Sequence, residues 1–350
     1  MMSGFDIEKA LIPVWDTDYV YSESVMFVRD SLGKAAAPLL YDIDEIISVK
    51  SATELTEYEY GRDFVFEGNK ITLTDNSRIF SFTYDELYPE NPVEGHSFPM
   101  EKGNVLFYEE TFFHKRQISI TYKAKNKSAL KLKPRSSASL LPESHKKLSE
   151  GHLSLCIYGD SISVGANATK FTGIEPFCPP YSELFTEGLR IRYSADISYH
   201  NPSKGGMNSE WGLDNAEKLV KDFNPDLCVL AFGANDSGTP AEKVIDNLSK
   251  TVSTIRSFSS ECEFIVISEC LPNKLLSSEK CRFYGNQPSF EKPIVAMERQ
   301  GVAVCNITDF QRKLLTRKRF IDLTGNNVNH PNDFFHRLHA QYLLSVFNED

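Results

Sequence analysis

Short apolar runs separated by turn residues characterise the first part of the chain. These runs are rich in β-branched and aromatic residues, as strands are, and comprise SVMFV (24–28), EIISV (45–49), RDFVF (62–66), NVLFY (104–108) and QISITY (117–122). The turn residues Gly68 and Asn69 separate RDFVF from the alternating run KITLT (70–74), and this spacing predicts a hairpin. The pattern predicts an all-β domain, a β-sandwich or jelly roll, over residues 1–125.

The next segment, residues 126–150, is polar and rich in Lys and Ser. This composition is typical of a linker that packs loosely against its neighbours. An edge strand around Leu130 to Leu132 is the alternative interpretation.

Beyond Gly151 the pattern changes to strands alternating with helices. Strand-like runs are LSLCIY (153–158), DISYHN (196–201), LCVLAF (227–232), FIVIS (264–268) and VAVCNI (302–307), and helical stretches are 181–192, 211–223, the apolar face running from 244 to 255, and 333–347. Asn332 or Asp333 is available to cap the last helix. Such alternation predicts a three-layer α/β/α domain around a parallel sheet over residues 151–350, with its active site at the carboxyl ends of the strands.

Composition narrows the classes of function. The 350 residues are enough for two domains, and the formal net charge of -10 with a pI near 5.4 argues against nucleic acid and anionic membranes as partners. Neither a secretion signal nor an apolar stretch long enough to cross a bilayer is apparent.

The seven cysteines form no pattern typical of a metal site. Cys156, Cys228 and Cys305 lie in strand-like runs, where cysteine behaves as a small core residue. We therefore expect reduced thiols, a cytoplasmic location, no metal and no cofactor.

Four short segments carry candidate chemistry. Ser161 follows a strand in GDSIS, Gly206 lies in the loop NPSKGGMNS, Asn235 ends a buried strand in GAND, and His330 precedes the last helix in NHPND. A serine on a sharp turn after a strand can act as a nucleophile, and a histidine that folds back onto it can act as its base. Taken singly, each segment is equally typical of a turn, an ordinary loop or a helix cap.

Three other histidines have simpler interpretations. His336 and His339 follow His330 on the last helix, where we expect them to be exposed or to cap it. His200 lies in a strand, where it is expected to pack or to face the surface.

In the order Ser, Gly, Asn, His, the four segments resemble the SGNH, or GDSL-like, hydrolase family, over roughly residues 153–347. The resemblance implies that Ser161 is the nucleophile and that His330 is its base. It implies an oxyanion hole formed by the Ser161 N–H, the Gly206 N–H and the Asn235 side-chain amide. The family fold is the α/β/α sandwich predicted above.

One position departs from the family pattern. The residue three before the histidine is usually Asp, and here it is Asn327. An Asn carbonyl can orient an imidazole but cannot stabilise its protonated form with a full charge. Either Asn327 or a backbone carbonyl, as in relatives with a Ser–His dyad, would then orient His330.

The resemblance implies an esterase that removes small acyl groups, chiefly acetyl, from a carbohydrate, because some two-domain carbohydrate esterases of the family also carry an N-terminal β-sandwich. The partner is then a small or oligosaccharide acyl ester. The alternatives are a broad esterase or thioesterase on lipid-like or small substrates, and a catalytically weak carbohydrate-binding protein on the hydrolase scaffold. The first region either helps to select the substrate or only stabilises the fold, and its aromatic residues are Trp15, Tyr19, Tyr21, Phe112 and Phe113.

Overall fold

The computed structural model describes residues 5–125, 127, 130–132 and 136–348. The strands are β1 (Tyr19–Arg29), β2 (Ala36–Pro38), β3 (Asp42–Ser51), β4 (Phe64–Glu67), β5 (Lys70–Leu73), β6 (Ser81–Thr83), β7 (Ser97–Pro99), β8 (Asn104–Leu106), β9 (Gln117–Lys125), β10 (His152–Gly159), β11 (Asp196–His200), β12 (Leu227–Ala231), β13 (Glu263–Ser268) and β14 (Val302–Asn306). The α-helices are α1 (Ile7–Leu11), α2 (Tyr84–Leu87), α3 (Pro142–Ser149), α4 (Ser161–Val164), α5 (Thr169–Thr172), α6 (Tyr181–Tyr193), α7 (Ser209–Val220), α8 (Ala241–Phe258), α9 (Glu291–Val295), α10 (Ile307–Leu314) and α11 (Asp333–Leu344). Within these ranges, none of the helices is both long and apolar enough to cross a membrane.

A five-stranded parallel sheet organises the second half of the chain, as predicted. Its order is β11-β10-β12-β13-β14, and every neighbouring pair is parallel. β10 and β12 are neighbours although β11 separates them in sequence. The chain therefore changes direction across the sheet between these two strands, and in open α/β sheets the crevice at such a point is where ligands bind.

Helices cover both faces of this sheet. Side chains of α7, α8 and α9 form one apolar cluster with one face, and side chains of α6, α10 and α11 join the other face in a second cluster. The sheet residues of both clusters are almost completely buried, which explains why β12 and β13 are continuous apolar runs in the sequence. Cys156, Cys228 and Cys305 are core residues with free thiols, as expected.

The first region, residues 5–125 of the structure, is rich in β-strands. It contains a four-stranded sheet in the order β3-β9-β1-β6, a three-stranded sheet β2-β5-β4 and the two-stranded β7-β8. β4 and β5 pair with Glu67 opposite Lys70, so the hairpin predicted around Gly68 and Asn69 is confirmed. The β-rich character is as predicted, while the sandwich arrangement stays a prediction.

The first region packs on helix α11. Nearly every α11 residue is buried, because helices α1 and α6 of the two regions and strand β1 of the first region all pack against this helix. Buried residues of both regions form one apolar cluster. The last helix begins at the Asn332 cap, whose side chain accepts a hydrogen bond from Phe335 N–H at 3.1 Å.

Part of the predicted linker is helical. Helix α3 occupies Pro142–Ser149, and Leu141 and Leu148 are fully buried, so this portion is packed into the fold rather than loosely attached. Residues 130–132 lie outside the strands, which excludes the alternative edge strand there. The linker residues 126, 128–129 and 133–135 lie outside the described part of the chain.

Burial corrects two further expectations. His336 and His339 are buried rather than exposed, because α11 is covered on both sides. Burial lowers the pKa of His336 to about 4 and that of His339 to about 3. Among the aromatic residues of the first region, Phe113 is fully buried, and Trp15 packs edge-on against Phe310 and Tyr342. Phe113 is therefore unavailable to a ligand, while Trp15 is partly exposed.

Candidate active site

Ser161 lies on a tight turn between β10 and α4. The Asp160 side chain caps this helix and accepts a hydrogen bond from Ile162 N–H at 3.0 Å. The turn requires glycine at position 159, since a Cβ there would lie 2.4 Å from the Ala231 carbonyl oxygen. Ser161 is thus the first residue of a helix that starts at the carboxyl end of a central strand.

His330 meets this serine. Its Nε2 lies 2.9 Å from Ser161 Oγ, although the two residues are 169 positions apart. The loop that carries His330 is fixed by the buried Asn326, whose Oδ1 accepts hydrogen bonds from the N–H groups of Val328, Asn329 and His330 at 2.9, 2.9 and 3.1 Å. The pairing of Ser161 with His330 expected from the sequence is present.

The other ring nitrogen of His330 has two acceptors nearby. Asn167 Oδ1 lies 3.0 Å from Nδ1, and Glu109 Oε2 lies 3.2 Å from it. Glu109 belongs to the first region, in the loop after β8. Its second oxygen accepts a hydrogen bond from the Asn326 amide at 3.2 Å. The imidazole is therefore contacted by one amide of the second region, Asn167, and one carboxylate of the first region, Glu109.

Glu109 is ionised at neutral pH. Partial burial opposes its charge, but the hydrogen bond and charge of His330 and the amide of Asn326 outweigh burial. Together they keep the pKa of the Glu109 carboxyl below its ordinary value.

Asn167 is rigidly positioned. It adopts a left-handed backbone conformation with φ 63°, and its amide nitrogen donates to the carbonyl oxygens of Glu110 and Gly325 at 3.1 and 3.3 Å. A Cβ at position 325 would lie 2.4 Å from the Asn167 Cβ, so glycine allows this approach. Because both amide hydrogens point away from the histidine, Asn167 presents its oxygen to the ring.

Asn327 does not contact the imidazole, and this corrects the expectation that it orients His330. Its side chain is fully buried and points the other way: the amide nitrogen donates to the Leu106 carbonyl oxygen at 3.0 Å. The backbone at Asn327 is left-handed, with φ 64°, a conformation that Asn tolerates better than most residues. Asn327 therefore joins the His330 loop to β8 of the first region.

Gly206 and its loop lie beside Ser161. The loop is fastened to β10 by hydrogen bonds from Lys204 N–H to the Gly159 carbonyl at 3.1 Å and from Gly159 N–H to Ser203 Oγ at 2.9 Å. A Cβ on Gly205 would lie 3.8 Å from Ser161 Cβ. Within the described part of the chain, the N–H groups of Ser161 and Gly206 have no acceptor, so both remain available to a ligand oxygen.

Asn235 lies at the end of β12. Its amide nitrogen donates to the Met207 carbonyl at 3.0 Å and, at the long distance of 3.3 Å, to Asp160 Oδ2. Burial raises the pKa of Asp160 to about 7, against the opposing hydrogen bond from Ile162. The Asp160 carboxyl thus joins the turn at Ser161 to the Asn235 side chain. Ser161, Gly206, Asn235 and His330 all lie at one edge of the sheet.

Two residues of the site were not identified from the sequence. Asn167 follows the turn of Ser161 without any recognisable motif, and Glu109 lies in a different region of the chain, so no local spacing connects either with His330. Among the described residues, no group of three or more His, Cys, Asp and Glu side chains is arranged to hold a metal ion.

Comparison with known proteins identifies the family of this chain. A sequence profile of the GDSL-like lipase/acylhydrolase family matches residues 157–338, which is more than half of the chain. The chain therefore belongs to the GDSL-like lipase/acylhydrolase family. It is 30% identical over 104 residues to an arylesterase of Vibrio mimicus, a match that covers 29% of this chain and 48% of the relative. This chain thus spans about half the length of that curated relative.

Solved structures of esterases are similar at a greater distance. A two-domain esterase active on acetylated mannans has 20% identity and a TM-score of 0.49, covering 63% of this chain and 57% of its own. An acetylxylan esterase from Geobacillus stearothermophilus has 15% identity and a TM-score of 0.46, covering 57% of this chain and 95% of its own. Likenesses at this level assign no substrate to this chain.

Proposed function

We propose that this protein is a serine esterase that hydrolyses short acyl esters, chiefly acetyl esters, on a carbohydrate. The observation that carries the proposal is the 2.9 Å contact between Ser161 Oγ and His330 Nε2 at the switch point of the sheet. A serine hydroxyl is a weak nucleophile until an adjacent base takes its proton. This pair, in a chain of an acylhydrolase family, supplies both groups.

The reaction proceeds through an acyl-enzyme. His330 takes the proton of Ser161 as the serine oxygen attacks the ester carbonyl, and the resulting oxyanion accepts hydrogen bonds from the Ser161 and Gly206 N–H groups. The Asn235 amide becomes a third donor by exchanging its long 3.3 Å hydrogen bond to Asp160 for one to the oxyanion. His330 then gives its proton to the departing alcohol. A water molecule, deprotonated by His330, attacks the acyl group and releases the acid, and the proton returns to Ser161.

Small cavities beside the site support a short acyl group. The void behind His330, lined by Leu271, Phe320 and Phe335 among others, measures about 10 Å³. The void beneath the end of β12, lined by Phe232, Gly233 and neighbours, is also about 10 Å³. Each is barely large enough for one water molecule, so neither void holds a long acyl chain. A groove of about 720 Å³ shares Leu271 and Phe320 with the void behind His330, and the ester series below tests whether an acyl chain enters it.

An aromatic stack next to Glu109 supports a sugar as the alcohol part. The Tyr108 ring lies between His96 and Phe112, with centroid distances of 4.0 and 3.9 Å and nearly parallel planes. Arg116 covers Phe112, while His96 is exposed. A flat exposed ring on a rigid stack is suited to the apolar face of a sugar. Phe112, one of the first-region aromatic residues named in the sequence analysis, belongs to this stack.

The test is a series of p-nitrophenyl esters, acetate, butyrate, octanoate and dodecanoate, together with an acetylated oligosaccharide. We expect kcat/KM to be highest for the acetate and to fall steeply with chain length, and acetate to be released from the oligosaccharide. A preference for octanoate or for thioesters would instead support the broad esterase or thioesterase, and no hydrolysis of any ester would refute the proposal.

A further inference from the structure

We propose that Glu109, a residue of the N-terminal β-rich region, is the charged partner of His330 in the catalytic centre, so that the β-rich region completes the active site. The inference rests on the proposed esterase function. Glu109 Oε2 lies 3.2 Å from His330 Nδ1, on the ring nitrogen opposite to the one that meets Ser161.

Among the described residues, the second region supplies no carboxylate to His330 Nδ1. Position 327, where the family usually has Asp, is Asn, and its side chain is bound to Leu106 instead. Asn167 contacts Nδ1, but as a neutral amide. Among the ion pairs of the described residues, His330 makes one, and it is with Glu109.

Asn167 and Glu109 both contact His330 Nδ1, and they have different roles. Asn167 is buried and fixed by two backbone carbonyls, so it can select the tautomer that leaves Nε2 free to accept the Ser161 proton. Glu109 adds a negative charge, and the attraction between this charge and the ring increases as the ring becomes an imidazolium in the transition state. Because the Glu109 side chain is 43% exposed, solvent screens this charge, and its effect is smaller than that of a buried triad aspartate.

The Glu109 loop is held against the His330 loop from both sides. The Asn326 amide donates to Glu109 Oε1, while the oxygen of the same side chain organises the backbone of residues 328–330. Asn327 fixes the chain to Leu106, three residues before Glu109. The carboxylate is therefore placed by contacts between the two regions and does not depend on a flexible side chain alone.

The test compares Glu109→Gln with Glu101→Gln in the full-length protein. Gln at position 109 keeps the shape and one acceptor oxygen and removes only the charge. Glu101 is an exposed carboxylate in the turn between β7 and β8 of the same region, and its variant should behave as the wild type. With p-nitrophenyl acetate we expect kcat of Glu109→Gln to fall roughly 10- to 100-fold with little change in KM, since the charge acts in the transition state.

The pH profile separates this role from a structural one. A carboxylate beside the ring favours the protonated imidazole, so Glu109→Gln should move the acid limb of kcat/KM to lower pH. Among the described residues, Asp160 and His336 also interact electrostatically with His330, and both remain in the variant. A second variant, Glu109→Asp, keeps a carboxylate in the same loop and should retain more of the wild-type kcat than Glu109→Gln does.

The outcomes are distinct. Wild-type activity and an unmoved acid limb in Glu109→Gln would overturn the inference while leaving the esterase function intact. A loss of kcat that comes with a lower melting temperature, an unmoved acid limb and no higher kcat in Glu109→Asp than in Glu109→Gln would assign Glu109 a structural role and also overturn it. Absence of hydrolysis by the wild type would refute the esterase function itself.

Discussion

The Nζ of Lys318 lies 2.6 Å from Oε1 of Glu23, and both side chains are fully buried. Glu23 lies on β1 of the first region and Lys318 on the segment between α10 and α11 of the second. The other carboxylate oxygen of Glu23 accepts a hydrogen bond from the Tyr122 hydroxyl at 2.8 Å, and Lys318 also donates to the Ser24 carbonyl. An ion pair this deep joins the two regions into one unit.

Removing the cation alone should therefore be costly. Lys318→Met leaves the Glu23 carboxylate buried without its charge partner, and we expect a loss of about 3–5 kcal/mol in the free energy of unfolding. Lys221→Met, which breaks an exposed ion pair with Glu217, should leave the free energy of unfolding nearly unchanged because solvent screens that pair. Urea unfolding measures both. Equal losses in the free energy of unfolding of the two variants would show that the buried pair contributes no more to stability than an exposed pair does.

The second region should not fold by itself. In a fragment that starts at Ser149, the side of α11 that faces β1 would be exposed, including apolar residues of the shared core. We expect this fragment to be insoluble, or to bind a hydrophobic dye and melt without a cooperative transition, whereas the full chain unfolds in one transition. A soluble fragment with a sharp thermal transition and full activity on p-nitrophenyl acetate would contradict this expectation.

Restoring the family residue at position 327 should not improve the enzyme. Asn327→Asp replaces the nitrogen that donates to the Leu106 carbonyl with an oxygen, so two acceptors would face each other in a buried place. We expect about 1–3 kcal/mol lower stability and a kcat that does not rise. Thermal melting and steady-state kinetics test this. A kcat above that of the wild type would mean that position 327 reaches His330 during the reaction.

Acid should destabilise the protein through its buried histidines. Burial lowers the pKa of His339 from 6.5 to about 3. Below pH 6.5 the imidazole therefore binds a proton in the unfolded chain but stays neutral in the folded chain. Stability then falls as the pH falls, by about 3 kcal/mol for this residue between pH 6.5 and about 4.

His339→Leu removes the group that takes up this proton and should reduce the loss of stability. The melting temperature of the variant should therefore rise relative to that of the wild type as the pH falls. His152→Leu, the same substitution at an exposed histidine, provides the matched control. A constant difference between His339→Leu and the wild type from neutral pH to about pH 4 would exclude His339 as a source of acid sensitivity.

Local patterns in the sequence predicted much of the fold. The apolar runs of β10, β12 and β13 are continuous because both faces of the parallel sheet are buried, and alternation of strands and helices predicted the layers. The same patterns could not reveal that a second sheet covers α11, since burial by a distant part of the chain leaves no periodic signal in the helix itself. His336 and His339 were misjudged for that reason.

The same limit applies to the site. Ser161, Gly206, Asn235 and His330 follow strand ends or precede a helix in recognisable segments, and the fold brings them to one edge. Glu109 and Asn167 reach His330 only through tertiary contacts, at sequence separations of 221 and 163 residues. Asn327 has the spacing of a triad member, but its left-handed backbone and its bond to Leu106 direct the side chain away.

The most direct measurement of the central claim is the hydrolysis of p-nitrophenyl acetate by the wild type and by Ser161→Ala, with thermal melting to establish that both are folded. Deleting the Ser161 hydroxyl removes the attacking oxygen and leaves the Asp160 cap and the oxyanion donors in place. The account predicts turnover by the wild type and a loss of roughly a thousandfold or more in kcat for the folded variant. Turnover by Ser161→Ala close to that of the wild type would contradict it.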